Sequence, residues 1–197
     1  MDKPLMKRDG FWNLPNSLTV ARIALVPFMV WLLWDDPTPF EIWLGFFIFV
    51  GGMITDIIDG WLARKWNLVS PAGAYLDPLA DKLMVTTTLV MMVERAWVPA
   101  WLVALLICRE FAITGLRGIA SQEGMVISAS TLGKFKTAYQ GTALGVMLWT
   151  PHTFGMDPQV TGLFFLYNAP FFSLASAAEY MIQFFRQGAG KVKRPAA

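Results

Sequence analysis

One cysteine and one histidine are all that these 197 residues contain of the two side chains most used for soft-metal binding and redox chemistry. A lone Cys108 excludes an internal disulfide and any cysteine-built zinc site. A lone His152 argues against a histidine-rich metal centre and against a Ser-His-Asp triad. Charge is scarce as well: Asp, Glu, Lys and Arg make up 15% of the chain, hydrophobic residues 55%, and the mean hydropathy is +0.48. That balance is too apolar for a water-soluble domain of this size and suits an all-α, polytopic membrane protein. No internal repeat, low-complexity tract or composition break marks a second domain, so residues 1–197 read as one membrane domain. No nucleic-acid partner is expected.

What is present is hydrophobic sequence in stretches. A bilayer core of ~30 Å needs about 20 apolar helical residues. Six segments come near that, at about 17–34, 40–65, 76–95, 98–120, 131–149 and 160–185. The breaks have local causes. Asp35-Asp36-Pro37-Thr38-Pro39 ends the first span, and Pro71-Ala72-Gly73 separates the second from the third. Pro99 starts the fourth, residues 124–131 precede the fifth, and 151–158 separate the last two. Residues 1–16 place Phe11, Trp12 and Leu14 among charges and read as a short interfacial helix limited by Pro15. Residues 186–197 read as a basic tail. The run from Ser17 follows Lys3, Lys7 and Arg8 as a signal peptide would. It lacks a small-residue cleavage site and Arg22 interrupts it, so a retained first helix is expected.

Charge placement orients the six spans. With both termini on one side, 15 of the 16 Lys and Arg fall on that side or in the adjoining halves of the spans; Arg95 is the exception. The opposite loops carry Asp35, Asp36, Glu94 and Asp157. The positive-inside rule then puts both termini and the 55–81 segment at the cytoplasmic face. The tail's Lys191, Lys193 and Arg194 serve chiefly as a topology signal, with anionic lipid heads as a further contact.

Four aspartates interrupt the second and third spans: Asp56, Asp59, Asp77 and Asp81. Ionisable groups inside membrane helices are costly and are functional candidates by default. Asp56 and Asp59 are three apart and share a helix face; Asp77 and Asp81 are four apart and share a face of the next helix. A short loop makes the two helices antiparallel neighbours, so all four carboxylates can meet near the cytoplasmic mouth. They would repel one another unless cations lay between them. An all-oxygen ligand set favours Mg²⁺ or Mn²⁺, and a pair of such ions suits displacement at phosphorus. A spare carboxylate can act as general base. Gly60 and Ala63 let a ligand approach the backbone, and Arg64 is placed for phosphate. A second basic group, Arg109, Arg117, Lys134 and Lys136, gathers toward the cytoplasmic side of the fourth and fifth spans. Arg109 and Arg117 are eight apart, about two turns and so roughly one face, as an anionic acceptor would require.

Blander readings stand beside these. A single Asp can simply pair with Arg64 or Lys82, and Gly73 doubles as a turn glycine. Positive-inside topology alone can account for Lys136, and less readily for Arg109, which lies deeper in apolar sequence. Glu110 beside it can orient a basic partner. His152 reads as solvated on an outer loop and Cys108 as small buried packing; the Trp and Phe residues read as lipid-facing bulk and interfacial anchors. Asn16, Thr19 and Arg22 either cap and anchor the first helix, or Asn16 and Arg22 reach the nucleotide or phosphate pocket.

The skeleton Asp56-x2-Asp59-Gly60-x2-Ala63-Arg64-x8-Gly73-x3-Asp77-x3-Asp81 resembles the signature of the CDP-alcohol phosphatidyltransferase family at every fixed position. The stretches Asn13 to Arg22, Leu76 to Lys82 and Cys108 through Arg117 to Thr137 are similar to the bacterial branch that forms phosphatidylglycerol phosphate. The resemblance covers the chain to about residue 150. It implies phosphatidyl transfer from CDP-diacylglycerol to sn-glycerol 3-phosphate with release of CMP, two divalent cations (Mg²⁺ or Mn²⁺), membrane lipid as surroundings, and a homodimer. Carried onto this chain, Asp56, Asp59, Asp77 and Asp81 would hold the metals and Asp81 would be the catalytic base. Asp56, Gly60, Ala63, Arg64, Gly73 and Asn16 would bind the CDP group, and Arg109, Arg117 and Lys134 the acceptor phosphate. Three competitors remain: the same chemistry on another acceptor such as inositol phosphate or serine, a small cation transporter, and a non-catalytic membrane assembly factor that retains metal sites, against which the intact signature argues. Against the transporter, the carboxylates crowd toward one face and no repeat or matching polar path continues beyond them.

Overall fold

A computed structural model describes residues 14–66, 71–123, 125, 131–149 and 155–192. Those residues form six α-helices and no strand: α1 (Leu14–Leu33), α2 (Pro39–Trp66), α3 (Pro71–Glu94), α4 (Ala100–Gln122), α5 (Thr131–Leu148) and α6 (Pro158–Val192). The all-α expectation holds, with six helices where six spans were predicted.

Local chemistry sets the helix ends. Thr38, Pro39 and Glu41 build a capping box: the Thr38 N–H and hydroxyl both donate to Glu41 Oε2, at 2.6 and 2.7 Å, and the Glu41 N–H donates back to Thr38 Oγ1 at 3.3 Å. Pro39 takes the first helical position, where a missing N–H costs nothing. Asp157 does the same for α6, accepting from the Gln159 N–H at 2.8 Å, with Pro158 next in line. The end of α3 is a Schellman turn. Trp97 N–H donates to Met92 O, Ala96 N–H donates to Val93 O, and Ala96 sits at φ +55°.

Three boundaries differ from the sequence reading. Pro71 to Gly73, expected as a break, is the first turn of α3, because proline is accommodated at a helix start. Pro15 likewise lies in the first turn of α1 instead of closing an interfacial helix; residues 1–13 lie outside the described residues. The expected tail from residue 186 is helical as far as Val192. His152 and the tail residues Lys193 and Arg194 lie outside the described residues.

Among the described residues, three helical segments are long and apolar enough to cross a bilayer: Asn16–Leu33, Pro39–Asp59 and Pro158–Gln187. The other three helices carry more charge: Asp77, Asp81 and Lys82 lie on α3, Arg109, Glu110 and Arg117 on α4, and Lys134 and Lys136 on α5. Large apolar side chains face outward along the apolar segments, among them Trp31, Phe40, Phe47, Phe164 and Phe171. In water such surfaces would aggregate; in lipid they are solvated. Cys108 belongs with them. It is exposed, not buried as expected, because it lies on the outward face of α4 with Leu105 and Phe111.

The helices divide into two compact units, Met1–Met91 with Leu148–Thr150, and Met92–Met147 with Pro151–Ala197. The first has a core of Met29, Leu32, Leu33, Phe49, Met84 and Leu89, with Trp149 packed on Trp43 and Phe46. The second is built on Leu102, Leu106, Ile113, Leu144, Met147 and Leu166. Within it α5 and α6 approach closely at Gly162. A Cβ there would overlap Met147 Cγ and lie 2.9 Å from the Ala143 carbonyl oxygen.

Candidate active site

Asn16, Thr19 and Arg22 recur every three residues on α1 and so form one polar stripe on a largely apolar helix. All three are buried. Buried polar groups need partners, and α2 and α3 supply them. Arg22 Nη1 lies 2.7 Å from Asp56 Oδ1, and Nη2 lies 3.2 Å from Asp59 Oδ2. Thr19 Oγ1 donates to Asp77 Oδ1 at 2.5 Å. Asp59 also lies within electrostatic reach of both Asp56 and Asp77. Three of the four signature aspartates are therefore gathered on one face of α1. Asp81 follows one turn after Asp77 on α3 and is half-buried.

Burial is uneven in a useful way. The Arg22 and Asp59 side chains are 4% and 6% exposed, whereas Asp56 is 41% exposed and opens the cluster outward. Asp59 Oδ1 is buried with no hydrogen-bond partner. An unpartnered carboxylate oxygen is costly to bury, and an all-oxygen donor set is the type that hard divalent cations take. The residues thus fit a Mg²⁺ or Mn²⁺ site by chemistry. Among the described residues no three acidic, thiol or imidazole side chains yet surround a common point. The carboxylates are instead spread over Arg22 and Thr19.

The simple pairing partners considered from sequence were Arg64 and Lys82; the arginine observed on the aspartates is Arg22. Gly60, Ala63 and Arg64 belong to α2, but their side-chain surroundings lie outside the described residues. Gly73 is buried in the first turn of α3 and Asn16 in the first turn of α1. Thr19 was legible only as a cap or anchor of the first helix, and Arg22 either as an anchor or as a residue reaching the nucleotide or phosphate pocket; both instead meet the aspartates. Their common spacing of three on an apolar helix was the available signal for more.

The second unit holds the basic group. Each nitrogen of the Arg109 guanidinium donates: Nε to the Ser173 carbonyl at 2.9 Å, Nη1 to Glu110 Oε2 at 3.3 Å, and Nη2 to Ser176 Oγ. Lys136, 10% exposed, donates to the same Glu110 oxygen at 2.6 Å. Arg117 lies over the Tyr180 ring, 5.7 Å from its centroid. Arg109 and Arg117 both reach α6, which agrees with their sharing a face of α4. Lys134 is exposed on the first turn of α5. Glu110 is thus the hinge of the network, as its position beside Arg109 suggested. Topology alone does not account for Lys136, since a topology signal need not be buried and paired.

The family described as CDP-alcohol phosphatidyltransferase matches residues 12–175, which includes every aspartate and basic residue above. The chain belongs to that family. It is also similar along most of its length to proteins named CDP-diacylglycerol–glycerol-3-phosphate 3-phosphatidyltransferase. The Bacillus subtilis protein is 41% identical over 180 residues, covering 86% of this chain and 93% of its own. The Rickettsia bellii protein is 40% identical over 136 residues, or 69% and 75% of the two chains. The Escherichia coli K12 protein is 33% identical over 174 residues, again 86% and 93%.

Proposed function

We propose that this protein transfers the phosphatidyl group of CDP-diacylglycerol to sn-glycerol 3-phosphate, forming phosphatidylglycerol phosphate and CMP. The observation that carries this is the gathering of Asp56, Asp59 and Asp77, three positions of the family signature, on the Arg22 face of α1. Similarity along 86% of the chain to relatives named for this reaction supports the choice of acceptor.

In this reading Asp56, Asp59, Asp77 and Asp81 hold two divalent cations, Mg²⁺ or Mn²⁺. When bound, these ions neutralise the carboxylates, polarise the phosphoryl oxygens and stabilise the CMP that leaves. Asn16, Asp56, Gly60, Ala63, Arg64 and Gly73 bind the CDP group, the two small residues by admitting it close to the backbone. Arg117 and Lys134 hold the acceptor phosphate together with Arg109, whose guanidinium is fixed in orientation by Ser173, Ser176 and Glu110. Asp81 accepts the proton of the attacking glycerol hydroxyl. That oxygen bonds to the lipid-linked phosphorus as the bond to the CMP oxygen breaks. Transfer is direct; no Ser, His or Cys nucleophile is required.

The lipid tails stay in the bilayer while the head group meets the aspartates at the cytoplasmic mouth. All six helices span the inner membrane as a single domain with both termini in the cytoplasm, and the protein works as a homodimer. The charge asymmetry of the loops supports the orientation.

The test is CMP release from CDP-diacylglycerol by the purified protein with Mg²⁺ or Mn²⁺. It would be run with glycerol 3-phosphate, myo-inositol 1-phosphate, serine or no acceptor. Release that requires both metal and glycerol 3-phosphate is expected. Release with a different acceptor would overturn the acceptor assignment. Absence of release with every acceptor, in folded protein, would overturn the reaction.

A further inference from the structure

We infer that α1, a helix with no aspartate of its own, supplies an outer set of donors that sets the cation affinity of the aspartate cluster. Thr19 and Arg22 are its positioning residues. The inference rests on the proposed metal site.

Four observations carry it. Arg22 and Thr19 take one oxygen from each of three aspartates: Asp56 Oδ1, Asp59 Oδ2 and Asp77 Oδ1. The Asp59 oxygen that Arg22 does not hold, Oδ1, is the buried one without a partner. The guanidinium has a further contact on α2, while its Nε is buried without a hydrogen-bond partner. Its Nη2 also reaches Thr55 Oγ1 at 3.5 Å, that hydroxyl donates to the Gly52 carbonyl at 2.9 Å, and the Arg22 stem runs alongside Gly52. Finally, Thr19 and Arg22 lie three residues apart, so one helix face addresses two different helices in fixed register.

Ligating carboxylates are commonly oriented by hydrogen bonds to their other oxygen, and loss of that support typically weakens metal affinity by 10- to 100-fold. A forked guanidinium suits the role because it can fix two carboxylates at a defined separation, which an ammonium cannot. Arg22 also offsets part of the charge repulsion among the aspartates before any ion arrives.

The experiment uses the full chain purified in detergent and Mn²⁺ alone as probe, with binding read by the loss of the free-ion EPR signal. Wild type, Thr19→Val, Arg22→Lys and Asp59→Asn are compared, and each is also unfolded thermally in metal-free buffer. Thr19→Val removes the donor and keeps the shape; Arg22→Lys keeps the charge and loses the fork. Both are expected to weaken Mn²⁺ binding by roughly 10- to 100-fold, and their turnover is expected to recover at raised Mn²⁺. Unchanged Mn²⁺ affinity in both variants, with Asp59→Asn impaired, would overturn the inference and leave the metal site intact. Tighter binding in Arg22→Lys would also overturn it, since Arg22 would then be a competitor for the aspartates and not their support. A wild type that binds no Mn²⁺ would overturn the metal site and this inference together. Should Arg22→Lys fail to fold, Thr19→Val decides alone.

Discussion

At the scale of single residues, charge and hydrogen-bond capacity decide the outcome. Asp81→Asn keeps the volume and removes the proposed base, so turnover with glycerol 3-phosphate is expected to fall about 10²- to 10⁴-fold while the protein folds normally. A steady-state measurement of CMP release checks this, and near-normal turnover would remove Asp81 from the base role. In the second unit, Glu110→Ala leaves Arg109 and Lys136 without their shared carboxylate. Stranding partly buried cations costs on the order of 3 kcal/mol, so a clear drop in unfolding temperature is expected. Lys136→Met leaves Glu110 still paired to Arg109 and is expected to cost less. The comparison of the two midpoints reads the asymmetry directly.

At the scale of helices, close approaches and end geometry dominate. Gly162 lets α6 come near enough to α5 that a Cβ would meet backbone as well as Met147. A side chain can rotate away but the Ala143 carbonyl cannot without moving its helix. Gly162→Ala is therefore expected to destabilise by about 1–3 kcal/mol, the range for overpacking, despite its better helix propensity. Ala96 presents the opposite case. It occupies the left-handed position of the α3 Schellman turn at φ +55°, is exposed, and pays a steric penalty that glycine avoids. Ala96→Gly is expected to stabilise by roughly 0.5–1 kcal/mol after the added chain entropy is counted. Chemical or thermal denaturation of the pair gives shifts of opposite sign if both arguments hold.

At the scale of the whole molecule, the lipid environment and the direction of the charges are the governing facts. Under the proposed orientation the 120–134 loop faces the cytoplasm and Asp157 the other side. In a Cys108→Ala background, a cysteine at Asp157 is expected to react with an impermeant maleimide added to whole cells, and one at Ser121 only after permeabilisation. The reverse pattern would invert the topology and move the aspartates to the wrong face for a cytoplasmic acceptor. Chelation by EDTA is expected to abolish CMP release, with Mg²⁺ or Mn²⁺ restoring it, since all the proposed ligands are carboxylate oxygens.

Sequence alone determined what depends on neighbours along the chain. Apolar stretches interrupted by Pro and Asp placed six helices, and the spacing of Asp56, Asp59, Gly60, Ala63, Arg64, Gly73, Asp77 and Asp81 carried the family and with it the chemistry. Helix boundaries were less legible. Pro71 reads as a breaker until one knows whether the helix begins at it, and a polar end such as 186–192 has no periodic signal to extend it. Tertiary structure alone decided which charges meet. Arg22 finds Asp56 and Asp59 from 34 and 37 residues away, Thr19 finds Asp77 from 58, and Lys136 finds Glu110 from 26. No helical period encodes such distances. They follow from which helix faces pack together, and packing is settled by the burial of polar groups that must each find a partner once water is excluded.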